Sequence, residues 1–438
     1  MFSSYRAVLR APYACRTFGS ALLGRLSNGT VCLSLLLAAK DTTGSYRVAG
    51  AVTALFGLSS VLLSPARARL VDRWGPRRAL VPLAAAYALL LAALAWLTWR
   101  PGASGSAIAA LALAAGCCIP PLGPVMRSLW STMLPDRLML QRAYSLDGVA
   151  EELLFVSGPL IVGLLVRAAV PAAGIAASAA LVLVGTLAFV SSPVARTVRG
   201  SSGPRPAGGP SDGLSDGPSE APTGGPAAGR GGSWSSGLGG VVVVAAGVGA
   251  GLGGLDLLVV AFADQLHQSG AVSWVLAAMS TGSALGGLAY GAVAWRLSGR
   301  RRLTLISVGL AVTLAAAGLS PNAWALIPLA ALAGVFIAPA ITTAYLIADE
   351  SAAPAHRVRA GAWVNTALNA GTAVGSAAIG LLVGRVPVAG CFALMATVVL
   401  LSAVAARART LVAGRRRPHP VSGAAAPGPG AKTEVARA

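Results

Sequence analysis

Charged residues are scarce in this sequence. Asp, Glu, Lys and Arg make up only 11% of its 438 residues, whereas 55% are hydrophobic, and the mean hydropathy is +0.72. Soluble domains carry about 25% charged residues, so this composition excludes an ordinary soluble protein. The net charge of +20 is compatible with nucleic-acid binding, but the basic residues lie at the edges of apolar runs and form no continuous basic face. We therefore predict a membrane protein that binds no nucleic acid.

Residues that commonly bind metals or form disulfides are also few. The five cysteines all lie in or beside apolar runs, and none has the spacing of metal ligands. The three histidines lie in loops or near the C-terminus, without a partner motif. No glycine-rich loop ending in Lys-Ser or Lys-Thr is present, which excludes an ATPase of the chain's own. The sequence thus predicts no metal site, no cofactor and no enzymatic activity.

Long apolar runs, by contrast, are abundant. Twelve of them have the roughly 18–25 residues needed to cross the hydrocarbon layer of a membrane. They lie near 17–39, 48–66, 79–98, 105–127, 144–167, 170–192, 238–262, 272–294, 303–319, 323–347, 361–385 and 388–406. This pattern predicts an all-α polytopic membrane protein with 12 transmembrane helices in two six-helix, pseudo-symmetric halves.

The segments between and beyond these runs divide the chain. The stretch 193–235 is rich in Gly, Ser and Pro and has no apolar surface to bury, so we predict a flexible cytoplasmic linker there. This linker separates an N-terminal half (17–192) from a C-terminal half (236–406). Residues 1–16 are predicted to form a cytoplasmic N-terminus, and 407–438 a basic, disordered cytoplasmic tail.

The basic residues predict the orientation of the helices. Most of the 34 Lys and Arg residues fall in segments on one side of the predicted membrane, together with both termini. By the positive-inside rule this side is cytoplasmic. Only Lys40 and Lys432 are lysines, and a composition rich in Arg, Ala and Gly is typical of a high-GC bacterium. We expect a multi-pass protein of the bacterial plasma (inner) membrane with both termini in the cytoplasm.

A short basic loop occurs twice, once in each half. The first copy, 72–78, reads Asp-Arg-Trp-Gly-Pro-Arg-Arg, and the second, 295–301, reads Trp-Arg-Leu-Ser-Gly-Arg-Arg. A shift of 223 residues aligns the two copies without a gap, and Trp295 then stands where the first copy has Asp72. Internal repeats in a polytopic membrane protein are typical of transporters built from two related halves.

The first copy resembles the signature of the major facilitator superfamily. That signature runs Gly-x-Leu-Ala-Asp-Arg-x-Gly-Arg-Lys between the second and third helices, and Ala68 and Pro76 are two of the departures from it. The matching residues are Leu70, Asp72, Arg73, Gly75 and Arg77. The resemblance covers about residues 14–410 and implies that this loop latches the two halves together on the cytoplasmic side. Gly75 permits the tight turn, and Asp72 can accept hydrogen bonds from a helix N-terminus.

The fifth span carries a second resemblance. Gly158-Pro159 followed by Gly163 is similar to the Gly-Pro-x-x-Gly-Gly stretch of the superfamily's drug–proton antiporters, with the last glycine shifted by one. Such residues bend a membrane helix and let it pack closely. The fourth span departs from that branch because it has no arginine in its outer half. Its only arginine, Arg127, is placed at the cytoplasmic end, which weakens the case for a proton relay in this span.

Charged residues inside the spans are the main candidates for function, because burying a charge is costly unless it is paired or lines water. Arg25 lies in the first span and Asp256 in the seventh, while Asp147 and Glu151 lie one turn apart on the fifth and share a face. We predict that Arg25 pairs with Asp147 or Glu151 and that one of these carboxylates carries the coupling proton. The alternative is a static ion pair that only fixes helix packing.

Other polar residues in the spans extend this pattern. Asn365 and Asn369 lie one turn apart on the eleventh span, and a shift of 218 residues superposes them on the acidic pair of the fifth. They are therefore predicted to line the same cavity from the second half. Glu152 is turned about 100° from its neighbour Glu151. It is expected to reach the cytoplasmic interface or to contact Arg142.

Together these features favour a secondary active transporter that works by alternating access. The first interpretation is proton-coupled export of a small amphiphilic drug or metabolite by a monomer, with the lipid bilayer, the substrate and protons as its partners. The alternative is a proton-coupled or facilitative importer of a small nutrient on the same fold. A membrane-bound transferase would need a catalytic group at an interface loop. The residues available there form no recognisable constellation; they are Asp136, Asp349, Glu350 and His356.

Overall fold

The computed structural model describes residues 2–100, 102–197, 236–268 and 270–415. This part of the chain is almost entirely helical. Its α-helices are α1 Phe2–Arg10, α2 Ala14–Thr43, α3 Tyr46–Trp74, α4 Pro76–Thr98, α5 Gly105–Cys118, α6 Leu122–Met133, α7 Arg137–Ala168, α8 Ala172–Val190, α9 Pro193–Thr197, α10 Ser236–Gln265, α11 Ala271–Ala292, α12 Gly299–Ala317, α13 Leu326–Ser351, α14 Arg357–Leu382 and α15 Val388–Arg415. The predicted linker from residue 198 and the predicted tail from residue 416 lie outside the described residues.

The helices follow the predicted spans in order. Helices α2 to α8 form the first half, with α5 and α6 together as its fourth span, and α10 to α15 form the second half. Among the described residues, 10 segments are long and apolar enough to cross a membrane. The other two spans are α12, which has three consecutive arginines in its first turn, and α14, which carries Asn365 and Asn369. The predicted all-helical polytopic fold is confirmed, with ten to twelve membrane helices.

Helix boundaries differ from the prediction at both ends of the chain and at the start of the predicted linker. The N-terminal segment contains α1, which packs against α7. The first five residues of the predicted linker form the short helix α9. The last helix continues to Arg415 instead of ending near 406, so the first part of the predicted disordered tail is helical. Ala, Arg and Leu dominate this extension, and all three are strong helix formers even outside a membrane.

The fourth span is broken, where a continuous helix over 105–127 was predicted. Helix α5 ends at Cys118 and α6 begins at Leu122, with Pro120 and Pro121 between them. Proline has no amide hydrogen, so Pro120 cannot donate to the carbonyl of Gly116 one turn earlier. The buried Arg67 of α3 donates to this carbonyl instead, with Nη1 2.5 Å from the Gly116 oxygen. The span also continues beyond the predicted end, to Met133.

Glycines bring the central helices of the first half to backbone contact. Gly24 of α2 faces Gly185 of α8, and Gly29 of α2 faces Gly158 of α7. A Cβ atom at any of these positions would collide with backbone or side-chain atoms of the neighbouring helices. Such close approach favours association of membrane helices, which have no hydrophobic driving force between them.

The predicted helix-bending motif is therefore used unevenly. Helix α7 runs unbroken from Arg137 to Ala168 through Pro159. Gly158 makes the close contact with α2, whereas a Cβ atom at Gly163 would meet nothing within 4 Å. In this structure Gly158 acts as a packing residue.

The two halves meet mainly at one end of the bundle. We call this the basic end; α3 ends there at Trp74, and α7 and α14 begin there at Arg137 and Arg357. Helix α7 packs against α11 and α13, while α3 and α6 pack against α14. On α7, the described hydrogen bonds and ion pairs to the second half all come from residues 137–152. The part of α7 nearest the basic end thus makes the polar contacts between the two halves.

Candidate functional site

Four charged side chains form one buried cluster in the first half. Arg25 comes from α2, Arg127 from α6, and Asp147 and Glu151 from one face of α7. Arg25 lies 2.6 Å from Asp147 Oδ1 and 2.9 Å from Glu151 Oε2. Arg127 Nε lies 2.8 Å from Asp147 Oδ2, and Arg127 also pairs with Glu151. Each carboxylate therefore bridges two guanidinium groups, and the cluster has no net charge.

Burial differs between the two carboxylates. The side chain of Asp147 is 0% exposed, whereas that of Glu151 is 30% exposed. Asp147 lies ten residues from the start of α7, which is about 15 Å from the basic end at the helical rise per residue. The predicted contact of Arg25 with Asp147 or Glu151 is present in the structure with both residues. The accessible edge of the cluster is Glu151.

Arg127 is the cluster residue that the sequence analysis misplaced. It was put at the cytoplasmic end of its span, but α6 continues six residues beyond it to Met133, and its side chain is 5% exposed. Gly123, one turn earlier on α6, lies beside both guanidinium groups. A Cβ atom there would be in ordinary van der Waals contact with them, 3.6 Å from Arg127 Nη1 and 3.8 Å from Arg25 Cζ. The sequence pattern gave no signal for this position of Arg127.

The cluster also contacts the second half. The Arg127 guanidinium lies over the ring of Tyr345 of α13, 3.9 Å from its centroid. The Tyr345 hydroxyl is 3.1 Å from Asn365 Oδ1 on α14, to which it donates. A cation over an aromatic face is attractive, and the more so when it is desolvated. A continuous chain of contacts thus joins the ion pairs of the first half to Asn365.

The remaining predicted residues of the second half are only partly drawn into this site. Asn369 is exposed, and its Nδ2 donates to the carbonyl of Asn365 at 2.9 Å. Asp256 is exposed as well and makes no hydrogen bond or ion pair with the described residues. It lies two turns after Gly249, which packs on Leu368 of α14, so Asp256 is on a neighbouring part of that face. The structure does not bring Asp256 into contact with the cluster.

Glu152 takes a position different from the one expected. It makes no hydrogen bond or ion pair with Arg142 among the described residues. Its Oε1 accepts a hydrogen bond from Ser283 of α11, so this side chain bridges the two halves. The other oxygen, Oε2, is buried without a hydrogen-bond partner among the described residues.

The basic loop of the first half contacts the second half through one carboxylate. Asp72 Oδ2 accepts from the backbone amide of Arg359, at 3.1 Å, in the first turn of α14. Gly75 has φ +84°, a conformation that favours glycine, and lets α4 begin directly with Pro76. Arg73 and Arg77 are exposed. The geometry therefore places Asp72 at a helix N-terminus, where the unpaired amides and the helix dipole attract a negative charge.

The second copy of the loop uses an amide from the other half. Gln141 Nε2 of α7 donates to the carbonyls of Tyr290, at 2.8 Å, and Val293, at 3.0 Å. Arg302 Nη1 in turn donates to Gln141 Oε1 at 2.8 Å. Trp295, which replaces the aspartate, donates to the Tyr290 carbonyl at 3.1 Å. Gln141 had no signal in the sequence, because a lone glutamine near a helix start is unremarkable.

The N-terminal helix adds one further contact between the halves. The hydroxyl of Tyr5 of α1 donates to the carbonyl of Leu288 of α11 at 2.6 Å. Burial raises the pKa of Tyr5 to about 12, so the phenol keeps the proton that it donates at neutral pH. Residues 1–16 therefore take part in the contact between the halves.

Two helical halves that meet at one end, with a buried ion-pair cluster inside one of them, are characteristic of membrane carriers. The profile of the major facilitator superfamily matches residues 17–223 and 240–437, and the chain belongs to this superfamily. It is accordingly a multi-pass membrane protein and a secondary transporter of small molecules, not an enzyme. No curated protein matches the sequence.

Solved structures agree on the fold. A bacterial homologue of the iron transporter ferroportin, in an outward-facing state with soaked iron, has a TM-score of 0.67 at 14% identity, covering 92% of this chain and 99% of its own. A second structure of a bacterial homologue of ferroportin, in an outward-facing state, has a TM-score of 0.66 at 14% identity, covering 92% of this chain and 99% of its own. The human organic anion transporter MFSD10 (TETRAN) has a TM-score of 0.64 at 15% identity, covering 90% and 100%. Identities this low establish the fold alone.

Proposed function

We propose that this transporter is proton-coupled and exports a small amphiphilic molecule by alternating access between its two halves. The observation that carries the proposal is the buried Arg25–Arg127–Asp147–Glu151 cluster and its contact with Tyr345. Buried charges in membrane segments are costly and are characteristically found in ion or proton pathways. On this proposal Asp256, Asn365 and Asn369 line the substrate cavity from the second half. The remaining parts of the proposal are a monomer in a bacterial plasma membrane, with both termini cytoplasmic.

Glu151 is the carboxylate that we assign to the coupling proton. Of the two acidic residues in the cluster it is the one that water can reach, because Asp147 is fully enclosed. A proton on Glu151 removes one of two negative charges and leaves two guanidinium groups facing a single carboxylate. The electrostatic attraction that holds Arg127 in place is then weaker, and a shift of Arg127 alters its contact with the ring of Tyr345. Protonation in the first half thereby changes a contact with the second half.

The basic loop has a separate task in this proposal. Asp72 holds the first turn of α14 while the basic end is closed, and the bond to Arg359 must break before that end can open. Arg73 and Arg77 contribute positive charge at the same face of the membrane. The loop is then a latch, and the charge cluster decides when it is released.

The test is transport by the purified protein in sealed vesicles with an imposed pH gradient and a fluorescent amphiphile as substrate. The wild type is expected to move the dye only when the gradient is present, and Glu151→Gln to lose this dependence. Asp264→Asn is the matched control, since Asp264 is an exposed carboxylate near the C-terminal end of α10 and is not part of the cluster. If Glu151→Gln keeps full coupling to the gradient, the assignment to Glu151 is wrong, and if Asp147→Asn keeps it as well, neither carboxylate carries the coupling proton.

Import remains the competing direction on the same fold. The neutral pair Asn365 and Asn369, where the first half has two acids, is the observation that favours it, because uncharged amides suit a polar nutrient. Intact cells distinguish the two directions. Dye accumulation in cells that lack the protein supports export, whereas growth that depends on one nutrient supports import.

A further inference from the structure

A cavity in the second half lies outside the site considered so far. It has a volume of about 380 Å³ and opens at the basic end between α10, α12 and α15. Helices α12 and α15 pack on each other, on α10 and, for α12, on α13, all within the second half. The cavity is therefore on the periphery of the bundle, away from the contact between the halves. It is not part of the proposed transport pathway.

The rim of this cavity is cationic. Arg300, Arg301 and Arg407 all line it, and among the described residues no Asp or Glu does. Arg302, which follows in the sequence, turns inward to Gln141 and is not part of the rim. Ser298, the residue preceding α12, also lines the cavity, and its side chain does not cap the helix. Arginine side chains beside an uncapped helix N-terminus form an environment that favours phosphate.

Deeper inside, the cavity wall is apolar. Val241, Val244 and Leu303 belong to α10 and α12 and face the same space as the arginines. Beyond the cavity the outer surfaces of α12 and α15 are apolar as well, since Val312 and Leu401 are 62% and 59% exposed. A ligand that fits must therefore combine an anionic group with hydrocarbon. This combination favours a membrane lipid over a soluble anion.

The pseudo-symmetric position in the first half lacks this character. A shift of 223 residues aligns Arg300 and Arg301 with Arg77 and Arg78. In the first half, however, the loop also carries Asp72, whereas the second copy has Trp295 at that position. The surplus of positive charge is thus specific to the second loop, which has no carboxylate of its own.

We propose that this cavity binds the phosphate-bearing headgroup of an anionic phospholipid, with Arg300 and Arg301 as the phosphate-binding residues. The acyl chains then follow the apolar outer surfaces of α12 and α15. Basic pockets between membrane helices at the cytoplasmic face are a chemically suitable environment for such headgroups. The site is independent of proton coupling and of the identity of the transported substrate.

The test measures binding of a soluble short-chain lipid to the full-length protein in detergent. Dihexanoyl phosphatidylglycerol is titrated by calorimetry, with dihexanoyl phosphatidylcholine and inorganic phosphate as parallel probes. The wild type is expected to bind the anionic lipid saturably, one per chain. Each arginine near an anionic headgroup contributes enough that Arg300→Gln/Arg301→Gln should bind about 10- to 30-fold more weakly. The matched variant Arg77→Gln/Arg78→Gln should bind like the wild type.

Three results would overturn the proposal. Equal binding of phosphatidylglycerol by wild type and Arg300→Gln/Arg301→Gln would place the lipid elsewhere. If inorganic phosphate bound the wild type as tightly as phosphatidylglycerol does, the cavity would be a simple anion site without a lipid component. Binding that appears only after deletion of residues 198–235 would mean that the acidic residues of that segment are the natural occupants. The thermal unfolding midpoint of each variant without lipid checks that the substitutions leave the fold intact.

Discussion

At the scale of single residues, the central feature is a set of ion pairs with almost no access to water. Asp147 is fully enclosed, and both of its oxygens face guanidinium groups. Taking charges out of water is costly, and close pairing only offsets that cost while every partner is present. The cluster is thus stable as a unit and vulnerable to the loss of any one member.

The first prediction concerns this vulnerability. Asp147→Asn leaves Arg25 and Arg127 with a single carboxylate, and breaking a buried pair in this way costs about 3–5 kcal/mol. We expect a clear fall in the thermal unfolding midpoint of the detergent-solubilised protein. Asp256→Asn, at an exposed carboxylate without a described partner, should change the midpoint little. Adding Arg127→Gln to Asp147→Asn should restore part of the loss; a further fall of the same size would contradict charge balance as the cause.

Arg67 illustrates a different use of a buried arginine. It has no acidic partner among the described residues. Its guanidinium group donates instead to two backbone carbonyls, that of Gly116 at 2.5 Å and that of Ser60 at 2.6 Å. The Gly116 carbonyl needs this donor because Pro120 cannot supply one. Arg67 is therefore linked to the proline break in the fourth span.

The second prediction is a coupling between these two positions. Arg67→Met leaves the Gly116 carbonyl buried and unsatisfied, which costs about 1–3 kcal/mol. When Pro120→Ala is also present, the new amide can bond that carbonyl, so the cost of Arg67→Met should shrink. A double-mutant cycle on unfolding midpoints measures the difference. Additive effects of the two substitutions would mean that Arg67 stabilises the protein through other contacts.

At the scale of helices, α14 depends on a residue of the other half for its start. His356 and Arg357 begin this helix without a side-chain cap of their own, and Asp72 accepts the amide hydrogen of Arg359 from across the interface. Loss of an N-terminal cap typically costs about 1 kcal/mol. Because the bond crosses between the halves, this cost falls on the closed basic end and not on either half alone.

The third prediction follows from that placement. Asp72→Ala should shift the resting population toward an open basic end and slow transport severely at normal surface expression, whereas Asp72→Asn, which keeps an acceptor, should shift it less. Spin labels at Arg77→Cys and His356→Cys, both exposed positions, report the distance across the interface. An unchanged distance distribution in Asp72→Ala would show that this bond does not hold the end closed.

The helices also show what sequence can and cannot predict. Apolar length was enough to predict an all-helical membrane fold with ten to twelve membrane helices, because hydrocarbon thickness fixes how many residues each needs. The same criterion could not detect the break at Pro120, because that segment stays apolar, or the extension to Met133, because Ser128, Ser131 and Thr132 interrupt the apolar run there. The position of Arg127 was misjudged for this reason. The pairing of Arg25 with α7, by contrast, followed from helical spacing and from the cost of a lone buried charge.

At the scale of the whole molecule, the two halves are similar in fold and different in chemistry. Asp72 fastens α3 to α14 through a carboxylate, while Gln141 fastens α7 to the end of α11 through a neutral amide. The resemblance to the superfamily signature implied the first contact, and the internal repeat showed that the second loop lacks a carboxylate. It could not predict Gln141, because this residue lies outside the repeat and is brought there only by packing of the halves.

The fourth prediction concerns the connection between the halves. Helix α9 ends at Thr197 and α10 begins at Ser236. A flexible chain of about 20 residues suffices to connect neighbouring helix ends on one membrane face. Trimming the predicted linker to that length should leave transport in vesicles largely intact. A loss of transport with normal expression and folding would assign a direct role to the removed segment.

Close helix packing at glycines makes each half rigid, so each half moves as one body. Helix α10 alone has 30 residues, a length of about 45 Å. When a rigid body of this size rocks, displacement grows with distance from the pivot. Asn365 lies six residues deeper along α14 than Arg359, or about 9 Å nearer the centre of the bundle. In the proposed rocking motion, the hydrogen bond between Asp72 and Arg359 lies far from the pivot and breaks early. The contact of Arg127 with Tyr345 lies nearer the pivot and undergoes a smaller displacement.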